Sequence, residues 1–148
     1  MNAIVETSTI RRFQRPDIDR HGPWLLPRLA AAFPHLNERS LIGFLNGLLY
    51  SNDVIFLYQP TSVALAQLIS AHTLEPKPVV WERFVWCKDP KDEQQQKDAA
   101  NFYVELHRWA QALKCQQIVV EERTDVPHDL IKQKLGRIFS RQQQFVRV

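Results

Sequence analysis

One acidic residue lies within an apolar stretch of the chain. Glu82 falls inside the run Val79–Cys87, whose β-branched and aromatic residues predict a strand. A carboxylate among apolar neighbours can have a raised pKa and act as a general base near neutral pH. Alternatively, Glu82 forms a structural ion pair with Arg83 or with a basic residue of a neighbouring strand. The residue pattern leaves both interpretations open.

Strand alternation adds a geometric expectation about this run. It places Val80, Glu82, Phe84 and Trp86 on one face of the sheet. Trp81 and Trp86 then lie on opposite faces, so at least one of the two indoles is expected to cover a groove rather than a core.

Other residue types that often carry chemistry form no recognisable constellation. The five histidines have no metal-ligand spacing with another His or Cys, so no metal site is predicted. The chain contains no Gly-x-Ser-x-Gly, Walker or His-Glu-x-x-His motif. Cys87 and Cys115 do not make a disulfide framework, and we interpret them as free buried thiols in a reducing compartment.

Composition indicates one globular domain over residues 1–148. Hydrophobic residues make up 45% and charged residues 24% of the chain, values typical of soluble domains. No apolar run approaches the roughly 18–20 residues that span a bilayer, and we see no signal peptide. The net charge of +3 is mildly basic, but no Lys/Arg run or zinc-finger spacing indicates nucleic-acid binding. We therefore expect a cytoplasmic protein without a membrane partner.

Apolar periodicity predicts elements in the order β-α-α-β-β-β-α-β-α-β-β. The first strand is expected over residues 8–13. Residues 15–19 are expected to form either a turn or a helix start with Pro16 in its first turn. Gly22-Pro23 interrupts this stretch, so the helix could instead start again at Pro23, and Pro27 indicates a late start or a kink. Asn37 is a good N-cap for the second helix.

The second half of the chain has the pattern of a crossover. The strand Val79–Cys87 is followed by an amphipathic helix, Gln94–Leu113, and by a short strand, Gln117–Glu121. Such an order predicts two adjacent parallel strands. A second helix ends at Gly136, and strand-like segments are expected over residues 137–140 and 143–148.

This order of elements resembles the GNAT superfamily, the acyl-CoA-dependent N-acyltransferases. The tail Lys134-Leu135-Gly136, followed by Arg137-Ile138-Phe139, is similar to that family's short helix, Leu-Gly pair and closing hairpin. The resemblance covers nearly the whole chain. It implies a single α/β (α+β) domain with a GNAT-like mixed, mostly antiparallel sheet and helices on both faces.

The resemblance also implies where acetyl-CoA would bind. In the family, amides at the start of the long helix bind the pyrophosphate, and the splayed fourth and fifth strands hold the pantetheine. The residues implied here are Phe84, Val85, Trp86 and Cys87 on the strand and Gln95, Gln96, Lys97, Ala99 and Ala100 on the helix.

The pyrophosphate loop departs from the family pattern, Gln/Arg-x-x-Gly-x-Gly/Ala. With Gln95 at its first position, Asp98 stands at the first glycine and Ala100 at the second. A carboxylate there either repels the phosphates or complements the helix dipole from the first turn.

Two further family positions bear on catalysis. The resemblance gives Glu82 the place of the general base and puts Lys132 where the family has a tyrosine as general acid. Lys132 either protonates a leaving thiolate or faces solvent. The family's asparagine after the fifth strand is absent from Glu121-Glu122-Arg123-Thr124.

Two hypotheses follow. The first is an acyl-CoA-dependent N-acetyltransferase-like protein with weakened or lost catalysis, whose partners are acetyl-CoA and an unidentified amine. The second is a non-enzymatic structural or interaction protein on the same fold, for example a phage virion component, which binds a protein partner or a second copy of itself. The missing glycine loop, asparagine and tyrosine favour the second more than the fold alone would.

Overall fold

The computed structural model describes residues 10–69, 78–115, 117–120, 124–136, 139–140 and 145–147. Parts of the predicted strands, at residues 8–9, 121, 137–138, 143–144 and 148, lie outside this range. The elements are β1 (Arg11–Arg12), α1 (Asp17–Ala32), α2 (Glu38–Tyr50), β2 (Val54–Gln59), β3 (Ser62–Ile69), β4 (Val79–Cys87), α3 (Glu93–Ala112), β5 (Gln117–Val120), α4 (His128–Leu135), β6 (Phe139–Ser140) and β7 (Phe145–Arg147). Their order is the predicted one.

The described strands form one sheet in the order β1-β2-β3-β4-β5-β7-β6. Neighbouring strands are antiparallel except for β4 and β5, which run parallel with Val80 opposite Ile118 and Glu82 opposite Val120. Helix α3 supplies the crossover that a parallel pair requires. The predicted fold class and the predicted parallel pair are both confirmed.

Helices cover both faces of this sheet. On the α3 face, α3 and α4 pack residues such as Phe102 and Ile131 against Val80 and Ile118. On the opposite α1–α2 face, the helices pack against the other side of the strands, with a separate cluster of buried side chains that includes Leu25, Leu45, Phe56, Phe84 and Trp86. None of the described helices combines the length and apolarity needed to cross a membrane.

Helix α1 begins at Asp17 with Pro16 as its N-cap, which agrees with the predicted helix start near Pro16 and not with the alternatives of a turn there and a late start. The helix contains both Pro23 and Pro27. An interior proline costs about 3 kcal/mol or more. Leu25 and Leu29 are completely buried against the sheet, and this packing keeps the segment helical. The predicted cap of α2 is confirmed, since the Asn37 side chain accepts a hydrogen bond from the Ser40 N–H at 2.9 Å.

Strand β4 carries a bulge that strand alternation does not predict. In its pairing with β3, Glu82 lies opposite Ala66 and Phe84 lies opposite Leu65, so Arg83 has no partner residue on β3. An extra residue of this kind bends the strand and re-aims the side chains that follow it.

The bulge changes which residues share a face. Val80 lies in the buried cluster of the α3 face, whereas Phe84 and Trp86 belong to that of the α1–α2 face. Glu82 faces α3 with Val80, so the predicted single face for these four residues is wrong. Trp81 alternates with Val80 and therefore shares the α1–α2 face with Trp86, not the opposite face.

Histidine 21 is a buried polar residue of α1 with a defined tautomer. Its Nε2 lies 2.9 Å from the Gln59 carbonyl oxygen, and its Nδ1 accepts a hydrogen bond from the Trp24 indole N–H at 2.9 Å. An indole only donates, so the ring proton is on Nε2 and the ring is neutral. Burial lowers the pKa of His21.

We expect opposite responses to alanine at two glycines. Gly43 lies inside α2, and an added Cβ would meet no atom within 4 Å, so Gly43→Ala should raise the free energy of unfolding by about 0.5–1 kcal/mol. Gly136 has a φ of +61°, so Gly136→Ala should lower it by about 1–2 kcal/mol. Urea unfolding measures both, and changes of the same sign would contradict this.

The free energy of unfolding should also fall as the pH is lowered from about 7 to about 5. The unfolded chain takes up a proton at His21 near the ordinary pKa of about 6.5, whereas the folded pKa is lower. The stability that neutral His21 contributes is therefore present above that pH and lost below it. His21→Gln should flatten the dependence in urea unfolding; a variant as pH-sensitive as the parent would refute this assignment.

Candidate functional site

Glu82 belongs to a buried hydrogen-bonded cluster between β4, α3 and the segment after β5. Its side chain is fully buried. The Tyr103 hydroxyl lies 2.6 Å from Oε1 of Glu82 and 2.7 Å from Oγ1 of Thr124. The single phenol proton is donated to the carboxylate, so the Thr124 hydroxyl donates to Tyr103 and accepts from the Val126 N–H at 3.1 Å. We call this the Glu82–Tyr103–Thr124 cluster.

The ionisation of Tyr103 is strongly disfavoured in this cluster. Burial raises the pKa of Tyr103 well above its ordinary value, and the Glu82 carboxylate raises it further. The phenol therefore stays protonated near neutral pH and remains a hydrogen-bond donor to Glu82.

The second predicted catalytic residue lies elsewhere. Lys132 is exposed on α4, whose buried residues are Ile131 and Leu135. The structure therefore places the solvent-exposed Lys132 apart from the fully buried Glu82 carboxylate.

The four predicted cofactor residues of β4, from Phe84 to Cys87, are all buried. The backbone edge of this segment that faces β5 is in contact with Asp125. The Asp125 N–H donates to the Val85 carbonyl at 2.8 Å, and the Asp125 carboxylate accepts from the Cys87 N–H at 2.9 Å. Thr124 also forms a parallel bridge with Val85. The Val85 carbonyl and the Cys87 N–H on this part of the β4 edge are therefore already hydrogen-bonded within the chain.

Arg28 of α1 fixes Asp125 in this position. Its guanidinium donates two hydrogen bonds to the Asp125 carboxylate and a longer one, at 3.3 Å, to the Cys87 carbonyl. The same guanidinium lies 4.6 Å from the centre of the Trp86 ring. We call Arg28, Asp125 and the bonded backbone of Val85 and Cys87 the Asp125 clamp.

A second carboxylate occupies the start of α3. The helix begins at Glu93, one residue before the predicted start, and its N-cap is Asp92. Oδ1 of Asp92 accepts hydrogen bonds from the N–H groups of Gln94 and Gln95 at 2.9 and 3.1 Å. Of the residues that the GNAT resemblance assigns to a pyrophosphate, Gln95 therefore has its N–H capped by the Asp92 side chain.

Two of the predicted cofactor residues of α3 contact the loop before the helix. Oε1 of Gln95 accepts from the Asp89 N–H at 2.7 Å, and Nε2 of Gln96 donates to the Pro90 carbonyl at 2.6 Å. Both side chains hold this loop on the helix start.

The remaining predicted residues of α3 lie beyond its first turn. Lys97 is exposed, whereas Ala99 and Ala100 are completely buried in the core of the α3 face. Asp98 lies in the second turn, not the first, and accepts a hydrogen bond from the Gln94 side chain at 3.0 Å.

No strong nucleophile or metal site accompanies these residues in the described part of the chain. Cys87 and Cys115 are buried free thiols. Burial, together with the Asp125 carboxylate, raises the pKa of Cys87 to about 12. Among the described residues, no three His, Cys, Asp or Glu side chains are grouped as metal ligands.

Five residues of the site were not predicted from the sequence: Arg28, Asp92, Tyr103, Thr124 and Asp125. Asp92 had a usable signal, because an aspartate just before an amphipathic run is a common N-cap. Tyr103 had a weaker one, since a tyrosine on an apolar stripe needs a partner for its hydroxyl. The Arg28–Asp125 pair spans 97 positions, and no local pattern predicts it.

Solved acetyltransferase structures share the fold. Aminoglycoside 6'-N-acetyltransferase AAC(6')-Ih from Acinetobacter baumannii has 14% identity and a TM-score of 0.60, over 86% of this chain and 88% of that one. AAC(6')-Iy in complex with a CoA-containing bisubstrate analogue has 13% identity and a TM-score of 0.57, over 86% of each chain. An acetyltransferase from Vibrio fischeri has 8% identity and a TM-score of 0.56, over 80% of this chain and 97% of that one.

No protein-family model and no curated protein sequence matches this chain. At these low identities the structural likeness concerns the fold. The chain has the fold of the GNAT superfamily, as the sequence resemblance predicted.

Tyr103→Phe should lower the free energy of unfolding by about 1–3 kcal/mol, because it removes the hydroxyl that donates to a buried carboxylate. Tyr50→Phe is the matched control, since Tyr50 is 79% exposed and its hydroxyl should contribute less than about 0.5 kcal/mol. Urea unfolding at pH 7 compares the two. Equal effects would mean that the cluster contributes no specific stability.

Proposed function

We propose that this chain is an acetyltransferase-like protein of GNAT fold in which acyl-CoA binding and catalysis are weakened or lost. The observation that carries the proposal is the Asp125 clamp. A pantetheine aligned along β4 would need the Val85 carbonyl and the Cys87 N–H, and both are bonded to Asp125.

The start of α3 supports the same proposal. Asp92 already supplies the anion that a helix N-terminus favours. A pyrophosphate placed there would meet a carboxylate of like charge. Acetyl-CoA therefore does not fit the residues as they stand, and its binding would require the segment around Asp125 to move away from β4.

The burial of Glu82 also favours a structural role for this residue. Its carboxylate is fully buried and accepts a hydrogen bond from Tyr103. An acceptor amine can be deprotonated only within hydrogen-bond reach of a base or through one water. Access to Glu82 thus requires the same movement of the segment that carries Thr124.

A non-enzymatic interaction protein is the second candidate function. It is favoured by the outer face of α2, where Ile42 is 45% and Tyr50 is 79% exposed. A Cβ added at Gly43 or Gly47 of this helix would meet no atom within 4 Å. This function predicts that no variant of the clamp acquires affinity for acetyl-CoA.

Acetyl-CoA titration by calorimetry tests the clamp. We expect the parent chain to bind with a Kd of about 1 mM or weaker, equivalent to a binding free energy of about −4 kcal/mol. Asp125→Ala frees the Cys87 N–H and breaks the ion pair with Arg28, so it should bind at least about tenfold more tightly, a difference of about 1.4 kcal/mol. Circular dichroism confirms folding.

Glu105→Ala is the charge-matched control, because it removes only a surface pair with Arg108, and its affinity should equal that of the parent. Arg28→Met breaks the same clamp by removing the guanidinium that holds Asp125. It replaces Asp125→Ala in the titration if that variant does not fold. Micromolar binding by the parent would overturn the proposal. No binding by either clamp variant would leave the interaction protein as the better assignment.

A further inference from the structure

A small cavity lies on the α1–α2 face of the sheet, opposite the Glu82–Tyr103–Thr124 cluster. Its volume is about 160 Å³. Apolar side chains from α2, β2, β3 and the end of α1 form most of its wall. The lining residues are Phe33, Phe44, Leu48, Val54, Leu65, Gln67 and Arg83.

The only cationic group of the described lining is the guanidinium of Arg83. Arg83 is the bulge residue of β4, without a partner on β3, and it is half-buried. Its guanidinium lies 5.5 Å from the centre of the Trp81 ring. The ion pairs found among the described residues involve Arg11, Arg28 and Arg108, so no described carboxylate neutralises Arg83.

This combination defines the chemistry of a ligand. A guanidinium beside an apolar wall is a strong donor that favours a carboxylate, which it can bind through two parallel hydrogen bonds. Gln67 adds an amide that can donate to the same anion. The wall favours an apolar body, because burying it removes apolar surface from water.

The volume sets the size of that body. An engineered apolar cavity of about 150 Å³ holds one benzene molecule. A cavity of about 160 Å³ therefore accommodates a single ring or a short aliphatic chain.

We propose that this cavity binds a small monocarboxylate with an apolar body, its ring or chain against Phe44 and Leu48 and its carboxylate on Arg83. The cavity shares no lining residue with the Asp125 clamp. Its occupancy therefore does not depend on whether acetyl-CoA binds.

The test is a titration of the ¹⁵N-labelled full chain, followed by NMR, with probes that differ in charge. The probes are phenylacetate, hexanoate, phenylacetamide and phenethylamine. At least one of the two carboxylates should saturably shift amides around Leu65, Gln67 and Arg83. The neutral phenylacetamide and the cationic phenethylamine should bind at least about tenfold more weakly, the discrimination expected from a charge-assisted hydrogen bond.

Two variants locate the anion. Arg83→Gln should weaken carboxylate binding by about tenfold or more. Gln67→Glu should do the same by pairing Arg83 with a carboxylate of the chain, and it leaves the cavity wall intact. Arg108→Gln, on the exposed face of α3, is the control and should bind like the parent. Absence of carboxylate binding, equal binding of phenylacetamide, or unchanged affinity in a folded Gln67→Glu variant would overturn the proposal.

Discussion

The ion pair between Arg28 and Asp125 closes part of the β4 edge. It joins α1 on one face to the segment that follows β5 and brings that segment onto the edge of β4. A partly buried pair of this kind repays its desolvation only when its remaining hydrogen-bonding groups are also satisfied. Here the Cys87 N–H and carbonyl satisfy them, so the closure of the edge and the stability of the pair depend on each other.

The bulge at Arg83 determines which side chains of β4 share a face of the sheet. Without the extra residue, strand alternation would direct Glu82, Phe84 and Trp86 to one face. With it, Glu82 lies under Tyr103 on the α3 face, whereas Arg83 lines the cavity on the opposite face. Glu82 and Arg83 lie on opposite faces as successive strand residues do, and the inserted residue instead places Phe84 and Trp86 on the face that Arg83 occupies.

The sequence predicts the order of the elements and the parallel β4–β5 pair, because both follow from local periodicity and from the handedness of crossovers. It predicts Glu82 as notable, because a charge inside an apolar run is visible locally. It does not predict the bulge, since the register between β3 and β4 depends on contacts between two strands. It leaves the start of α1 open between Pro16 and Pro23, because the tertiary packing of Leu25 and Leu29, which outweighs the local effect of two prolines, is not visible locally.

Asp92 and Asp125 accept hydrogen bonds from backbone amides at two places where the GNAT resemblance puts the cofactor. A buried donor without a partner costs about 1–3 kcal/mol, so amides that no ligand covers must find acceptors within the chain. The two carboxylates supply them at the start of α3 and at the edge of β4. Under the proposed function, a ligand for that edge has to displace Asp125, and the energy of breaking its partly buried pair with Arg28 is subtracted from the binding free energy. The apparent affinity of such a ligand then depends on the fraction of molecules in which the edge is open, because only that fraction can bind.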